Sequence, residues 1–361
     1  MTNLDFIIWS ANPDIFTIPV LDHPVRWYGF LFALGFIVGQ MIMTYIFNKE
    51  GEDVKLVDKL TMYVIVATIV GARLGHCLFY DPIYYLSNPL KLIAVWEGGL
   101  ASHGGAIALF ISLYLFARKY KFKYLWVLDR VAIITLLTGA FIRFGNFMNS
   151  EIIGKPTGSE YGVVFARSFE DYLKSSRTDI EEVSFEKIEG VPSETPGQVP
   201  MKVKVKFAKK SSMTEATFPF YIEKTVKSIL NRGYVSDHIY HPESETIENS
   251  YNQNKRGSVG EFTVYGIPRY PAQLYESIAC VFIFLIIAHI WYHHRTQVKD
   301  GLMFGVFMTL LWAERFGDEF FKEVQEPWEA ALPINMGQIL SIPLFIFGLV
   351  VLIRSWGPRE K

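Results

Sequence analysis

Seven stretches of this 361-residue chain are apolar over roughly the 17–25 residues that a helix needs to cross a bilayer. They are residues 28–47, 56–80, 102–117, 125–148, 273–292, 302–321 and 337–353. In hydrocarbon no water meets backbone N–H and C=O groups, so segments of this kind close their hydrogen bonds internally as helices. Half of all residues are hydrophobic and 16% are aromatic, a composition of the membrane class. The net charge of −1 gives no bulk attraction to nucleic acid. Both cysteines, Cys77 and Cys280, lie inside apolar runs. They form no disulfide framework, and no Cys/His spacing of a metal site is present. No basic region with an apolar core and a cleavage site is seen near residue 1, and the expectation is that the first span serves as the insertion signal.

Orientation follows the Lys/Arg bias of short loops. Arg118, Lys119, Lys121 and Lys123 share one side with Lys49, Lys55, Arg295, Lys299, Arg354, Arg359 and Lys361, if the spans alternate. The expectation is an all-α polytopic membrane protein of seven transmembrane helices, N-terminus outside and C-terminus cytoplasmic, with a small extracytoplasmic α+β insertion. Its parts are an interfacial segment at 1–27, helices one to four at 28–151, the outer module at 152–270, and helices five to seven plus a cytoplasmic tail at 271–361. In the module, period-two alternation over 201–207 and 214–221 predicts half-buried strands, and 223–232 predicts a short helix.

The costly residues of the spans gather at one depth. Arginine at the centre of a span costs roughly 2.5–3.5 kcal/mol on insertion scales. Arg73, His76, His103, Arg143, Asn146, Asn149, Gln273, Glu276, Arg315, Asp318 and Glu319 all fall toward the outer ends of their runs, with Tyr28, Glu151 and Gln338 beside them. Asp129 and Arg130, near the inner end of the fourth run, are the exceptions. Each residue has a plain reading: arginines snorkel to headgroups, Arg315 and Glu319 form an i,i+4 pair, Gly104-Gly105 permits close helix packing, and His103 is a satisfied interior histidine. Their convergence favours a buried polar cavity. Guanidinium forks suit phosphate, and a phospholipid headgroup is the phosphate at that depth. A P-loop, a metal-ligand spacing and a GxSxG elbow are all missing from the sequence. Two functions fit such a cavity: an enzyme acting on the lipid, or a non-catalytic phospholipid-binding or transport protein. The paired half-chain repeats or Gly/Pro-broken spans of a transporter are not evident.

Six motifs, in order from about residue 25 to 345, carry a family resemblance. They are Val25-Arg-Trp-Tyr28-Gly, Trp96-Glu-Gly-Gly-Leu-Ala-Ser-His103-Gly-Gly105, Gly139-Ala-Phe-Ile-Arg143-Phe-Gly-Asn146-Phe-Met-Asn149-Ser-Glu151-Ile-Ile-Gly154, Arg269-Tyr-Pro-Ala-Gln273-Leu-Tyr-Glu276, Arg315-Phe-Gly-Asp-Glu319-Phe-Phe and Asn335-Met-Gly-Gln338-Ile-Leu-Ser341. The chain resembles the bacterial prolipoprotein diacylglyceryl transferases. The resemblance implies a multi-pass enzyme of the bacterial inner membrane. It would move a diacylglyceryl group from phosphatidylglycerol to the cysteine thiol of a prolipoprotein lipobox peptide, without metal or organic cofactor. It implies catalytic roles for His103, Arg143, Arg315 and Glu319. Substrate binding would fall to Tyr28, Arg73, Gly104, Asn146, Asn149, Glu151, Gly154, Gln273 and Glu276. Three departures stand out: Lys322 where the family commonly has arginine, Ser150 in place of a usual glycine, and a 152–270 segment longer than usual.

Overall fold

The computed structural model describes residues 6–19, 23–94, 99, 101–188, 195–254, 257–323 and 332–357. The motif residues Trp96–Gly98 and Leu100, and the stretch from Val324 to Pro327, fall outside them. Two compact units make up the chain. One comprises Gly29–Arg143, Glu276–Gly317 and Ala331–Lys361; the other comprises Met1–Tyr28, Phe144–Tyr275 and Asp318–Ala330.

The first unit is built on long helices: α1 (Trp27–Glu50), α2 (Lys55–Phe79), α3 (Ser102–Tyr120), α4 (Tyr124–Met148), α5 (Ala272–His294), α6 (Leu302–Asp318) and α7 (Met336–Arg354). Five of them, α1, α2, α4, α5 and α7, are long and apolar enough to cross a membrane. Helices α3 and α6 fall short of that length and apolarity for local reasons. Helix α6 has 17 residues and carries Glu314, Arg315 and Asp318; α3 ends on Arg118 and Lys119. Helix α7 starts with a capping box: Gln338 N donates to Asn335 Oδ1 at 2.8 Å and Asn335 N to Gln338 Oε1 at 3.2 Å. The entry to α6 is capped from α4, where the Asp129 carboxylate accepts from Gly301 N at 2.7 Å and Phe304 N at 2.8 Å. Met43, Phe47, Leu113, Phe116, Trp126, Leu136, Ile287 and Phe304 fill the core between the helices.

The second unit is where the all-α expectation needs correcting, because sheet extends beyond the insertion. Its strands are β1 (Phe6–Trp9), β2 (Asp14–Ile18), β3 (His23–Arg26), β4 (Gly162–Phe165), β5 (Ile180–Lys187), β6 (Val199–Phe207), β7 (Ile239–Tyr240), β8 (Asn249–Asn254) and β9 (Gly257–Gly266). Strands β2 and β3 form an antiparallel pair, and β1 runs parallel to β4. The main sheet is ordered β5-β6-β9-β7, with β8 also on β9. Strand β6 follows the alternation predicted for 201–207: Met201, Val203, Val205 and Phe207 are fully buried, while Lys202, Lys204 and Lys206 face Glu261, Glu186 and Glu181. Phe169 and Leu173 of the helix Arg167–Ser176, with Phe218, Ile222 and Val226, cover the inner face. The strand expected over 214–221 is instead a turn entering a helix. Thr214 N donates to Thr217 Oγ1 at 2.9 Å, Phe218 N to Thr214 O at 3.0 Å, and Pro219 sits in the first helical turn, where its fixed φ fits.

Candidate functional site

In the helical unit the central group is Glu276, in the second turn of α5 and only 3% exposed. Its carboxylate holds two guanidinium groups: Arg143 from α4, through Nε to Oε2, and Arg315 from α6, through Nη1 to Oε1 at 2.7 Å. The arginine side chains are 25% and 27% exposed. Three helices thus bring two cations to one buried anion. Ser277 fixes α5 against α4 by donating from Oγ to Ala140 O at 2.9 Å, one residue beyond Glu276. Cys280 lies one turn further along α5, within electrostatic reach of Arg143, Arg315, Glu276 and Glu314.

His103 and Gly104 stand at the start of α3. His103 is exposed and has no hydrogen-bonding or ionic partner among the described residues. Gly104 packs into α2: a Cβ there would lie 2.4 Å from Gly71 O and 2.6 Å from Gly75 Cα. This is the close crossing that small residues at four-residue spacing allow. Arg73 is buried and spends its nitrogens on backbone carbonyls. It donates to Leu92 O at 3.2 Å, Gly99 O at 3.3 Å and Lys91 O at 2.5 Å, with its guanidinium 5.1 Å from the Tyr85 ring centre. Arg73 thus ties Lys91, Leu92 and Gly99 to α2, and Gly104 sets the close crossing of α3 on α2.

In the other unit the predicted residues surround the end of α4. Ser150 N donates to Phe147 O at 3.0 Å and Glu151 N to Asn146 O at 2.9 Å. That pair of bonds is a Schellman motif, with Ser150 at the left-handed position that glycine usually takes. Its φ is 54°, and Ile152 follows at 56°. The usual glycine of the resemblance thus has a backbone reason. The turn lays Glu151 back over the helix end, where its carboxylate accepts from Asn146 Nδ2 at 3.3 Å and Asn149 Nδ2 at 3.2 Å. Gln273 Nε2 donates to Glu151 O at 2.5 Å. The opposite atoms of these amides, Asn146 Oδ1, Asn149 Oδ1 and Gln273 Oε1, are buried and accept nothing from the described residues. Tyr28 lies against the same helix end: a Cβ on Gly145 would come 2.9 Å from Tyr28 Cα. Gly154 is needed for close approach rather than for a turn, since a Cβ would lie 2.4 Å from Tyr270 O and 2.7 Å from Phe321 O. Glu319 lies 3.9 Å from Lys322 Nζ, which also meets Asp318 at 3.0 Å. Lysine at 322 supplies charge to both carboxylates without a fork.

Two features escaped sequence reasoning. Glu276 was read as a substrate contact; its place as shared counter-ion depends on α4 and α6, which local sequence does not reveal. Arg269, quoted only within a motif, is a buried hub. It donates to Asp237 O at 2.9 and 2.7 Å, to Gly154 O at 3.1 Å and to Glu323 Oε1 at 2.5 Å. The signal available for it was an arginine held among apolar neighbours next to Tyr270-Pro271.

Comparison with known proteins agrees with this arrangement of motifs. The family model for prolipoprotein diacylglyceryl transferase matches residues 13–354. A phosphatidylglycerol–prolipoprotein diacylglyceryl transferase of Porphyromonas gingivalis is 35% identical over 362 residues, 98% of this chain and 96% of the relative. Enzymes of the same name from Tolumonas auensis and Chloroherpeton thalassium are 32% and 30% identical, covering 98% of this chain and 99% and 96% of theirs. Relatives matched so completely share its length, so the 152–270 segment is not an addition relative to them. The family model's span and this identity across whole chains place the protein in the prolipoprotein diacylglyceryl transferase family.

Proposed function

We propose that the protein transfers the diacylglyceryl group of phosphatidylglycerol to the lipobox cysteine thiol of prolipoproteins, forming a thioether and releasing glycerol phosphate. The observation that carries the chemistry is the pair of guanidinium groups, Arg143 and Arg315, gathered on the one buried carboxylate of Glu276. The cysteine sulfur attacks the glycerol carbon of the diacylglycerol moiety, and the bond from that carbon to the phosphate oxygen breaks. The electron pair leaves on the phosphate, where the positioned guanidinium groups stabilise the gathering charge. The thiol proton must go to an acceptor, because a free cysteine is mostly protonated at pH 7; His103 is assigned that proton. Glu319, four residues after Arg315, is assigned to orient Arg315 or to take the thiol proton itself. The amide oxygens of Asn146, Asn149 and Gln273, which take nothing from the described protein, are the acceptors that headgroup hydroxyls require. Tyr28, Glu151 and Gly154 shape that loop, while Arg73 and Gly104 hold the approach to His103.

In this reading all seven long helices cross the bacterial inner membrane, with the N-terminus outside and the C-terminus in the cytoplasm. The 152–270 module then lies outside, beside the lipobox peptide. The Lys/Arg bias of the short loops supports that orientation. The test uses purified protein in vesicles with headgroup-labelled phosphatidylglycerol and a lipobox peptide. Lipidated peptide and glycerol phosphate are expected in equal amounts. Lipid bound without either product would leave a phospholipid-binding protein instead.

A further inference from the structure

We infer that Trp312 selects ester-linked lipid by donating its indole N–H to an acyl carbonyl of the diacylglyceryl group. This rests on the transfer reading above. Trp312 stands on α6 three residues before Arg315, so the two share a face of the helix. Its ring packs against the core of the helical unit. Its Nε1 is buried and donates to nothing among the described residues. An indole N–H is a donor only, and a buried one ordinarily finds a partner because leaving it unbonded is costly. Trp291 of the same unit follows that rule, donating from Nε1 to Glu50 Oε1 at 2.7 Å.

The neighbouring helices bring no side-chain oxygen to that level. One turn inward from the arginines and Glu276, α4 supplies Gly139, four residues before Arg143, and α5 supplies Cys280, four residues after Glu276. A Cβ built on Gly139 would meet one atom of the described residues within 4 Å, Cys280 Sγ at 3.6 Å. Glycine has no acceptor to offer, and a thiol is a weak one. A bound lipid brings the acceptor that is needed. In the orientation proposed above, α6 runs outward, which puts Trp312 about 4.5 Å deeper than Arg315 along the helix axis. A glycerophospholipid held by its phosphate at Arg143 and Arg315 extends its glycerol and ester carbonyls in that same direction, toward the hydrocarbon. The carbonyls are the first strong acceptors below the phosphate, and an ether-linked lipid has none there. Trp312 meets the substrate away from the carbon that is attacked and the bond that breaks, so its part is specificity and positioning.

The test sets diacyl phosphatidylglycerol against its dialkyl ether analogue, each in vesicles of otherwise equal composition with a lipobox peptide. The attacked carbon and the leaving phosphate are the same in both lipids. Wild type is expected to use the ester lipid with a kcat/KM about 3–10-fold above that for the ether lipid. Trp312→Phe keeps a ring and removes the N–H. It is expected to lower kcat/KM for the ester lipid about 3–10-fold more than for the ether lipid, so that the preference disappears. An equal drop for both lipids, or a preference that survives in Trp312→Phe, overturns the inference and leaves Trp312 as a packing residue. Should the variant fail to fold, wild type decides alone, and equal kcat/KM for the two lipids overturns it. Binding of the two labelled lipids to purified protein in detergent gives the same comparison without turnover. A wild-type protein that makes no lipidated peptide removes the transfer reading. The contact then stands on a binding preference for the ester lipid that Trp312→Phe abolishes, and falls if the two lipids bind equally.

Discussion

Helix α4 carries two arginine–glutamate clusters, and they differ in every respect except residue type. At its inner end Arg130 faces Glu50, with side chains 2% and 1% exposed and four N–O contacts of 2.8–3.2 Å. Trp291 Nε1 adds a donor to Glu50 at 2.7 Å, and the Trp126 ring lies 4.4 Å from the guanidinium. The same guanidinium lies 3.6 Å from the buried Asp129 carboxylate and donates to Trp126 O at 3.3 Å, so one buried cation meets two buried anions. Thirteen residues later on the same helix, about 20 Å along its axis, Arg143 shares a single carboxylate with Arg315, and both arginines are about a quarter exposed. Burial of charge marks both places. Arrangement and access separate the two: the inner cluster is one arginine shared by two carboxylates and closed to solvent, and the outer one is a carboxylate shared by two partly open arginines.

The largest effects test whether that division holds. Arg130→Ala strands Glu50 in a dry core and is expected to cost about 3–5 kcal/mol of stability, read from denaturation in detergent. Replacing both partners, Arg130→Met with Glu50→Leu, is expected to recover most of that loss, because well-packed apolar pairs often match buried ion pairs. Arg143→Ala should do the reverse. Glu276 keeps Arg315, so the protein stays folded, while transfer falls about 10²–10³-fold. An Arg143→Ala protein that unfolds, or an Arg130→Ala protein of normal stability, would break the comparison. Arg315→Lys comes next, with transfer reduced about 10-fold or more through loss of the planar fork. A near-normal rate would reduce the outer trio to simple charge.

How far could this have been read from the chain alone? The helices were legible as apolar runs, and Arg143 and Arg315, which the structure brings to one carboxylate, stood out because a charge inside such a run contrasts with its neighbours. Strand β6 was legible for the same reason, its alternation being a local pattern. What escaped depended on partners far away in sequence. Strands β1 to β3 were read as an interfacial segment, since β1 finds its parallel partner β4 more than 150 residues later. The alternation of 214–221 was real, yet a Thr214–Thr217 turn followed by Pro219 overrode it. Ser150 was visible as a departure, but its left-handed φ was not.

Arg269 gives a third version of the comparison, a buried guanidinium met largely by backbone carbonyls. Its cost falls on a neighbour. Burial, and then the charge of Arg269, push His238 down from 6.5 to about 3. The folded unit therefore holds this ring neutral while the unfolded chain protonates it. That contribution to stability is full above pH 6.5 and drains as pH falls toward 3, at up to about 1.4 kcal/mol per pH unit. Melting of the full protein across that window should be flatter in His238→Phe. Equal slopes in the two proteins would mean that Arg269 is as well balanced as Arg130.

The smallest expected effect asks whether the outer end of α4 needs its strained exit. Ser150 sits at φ 54° in the Schellman turn, and its hydroxyl is buried without a partner among the described residues. Left-handed backbone costs a non-glycine residue about 1–2 kcal/mol, while glycine gives some of that back through the freedom of the unfolded chain. Ser150→Gly should therefore raise stability by about 1 kcal/mol or less, seen as a small upward shift in Tm. If the transfer rate stays within about 2-fold, the turn only returns Glu151 to the amides of Asn146 and Asn149, and serine is a tolerated substitute. If the variant is more stable but clearly slower, the strain at 150 and 152 holds Glu151 where the site needs it. The outer end of α4 would then differ from the inner end in stored backbone strain as well as in exposure.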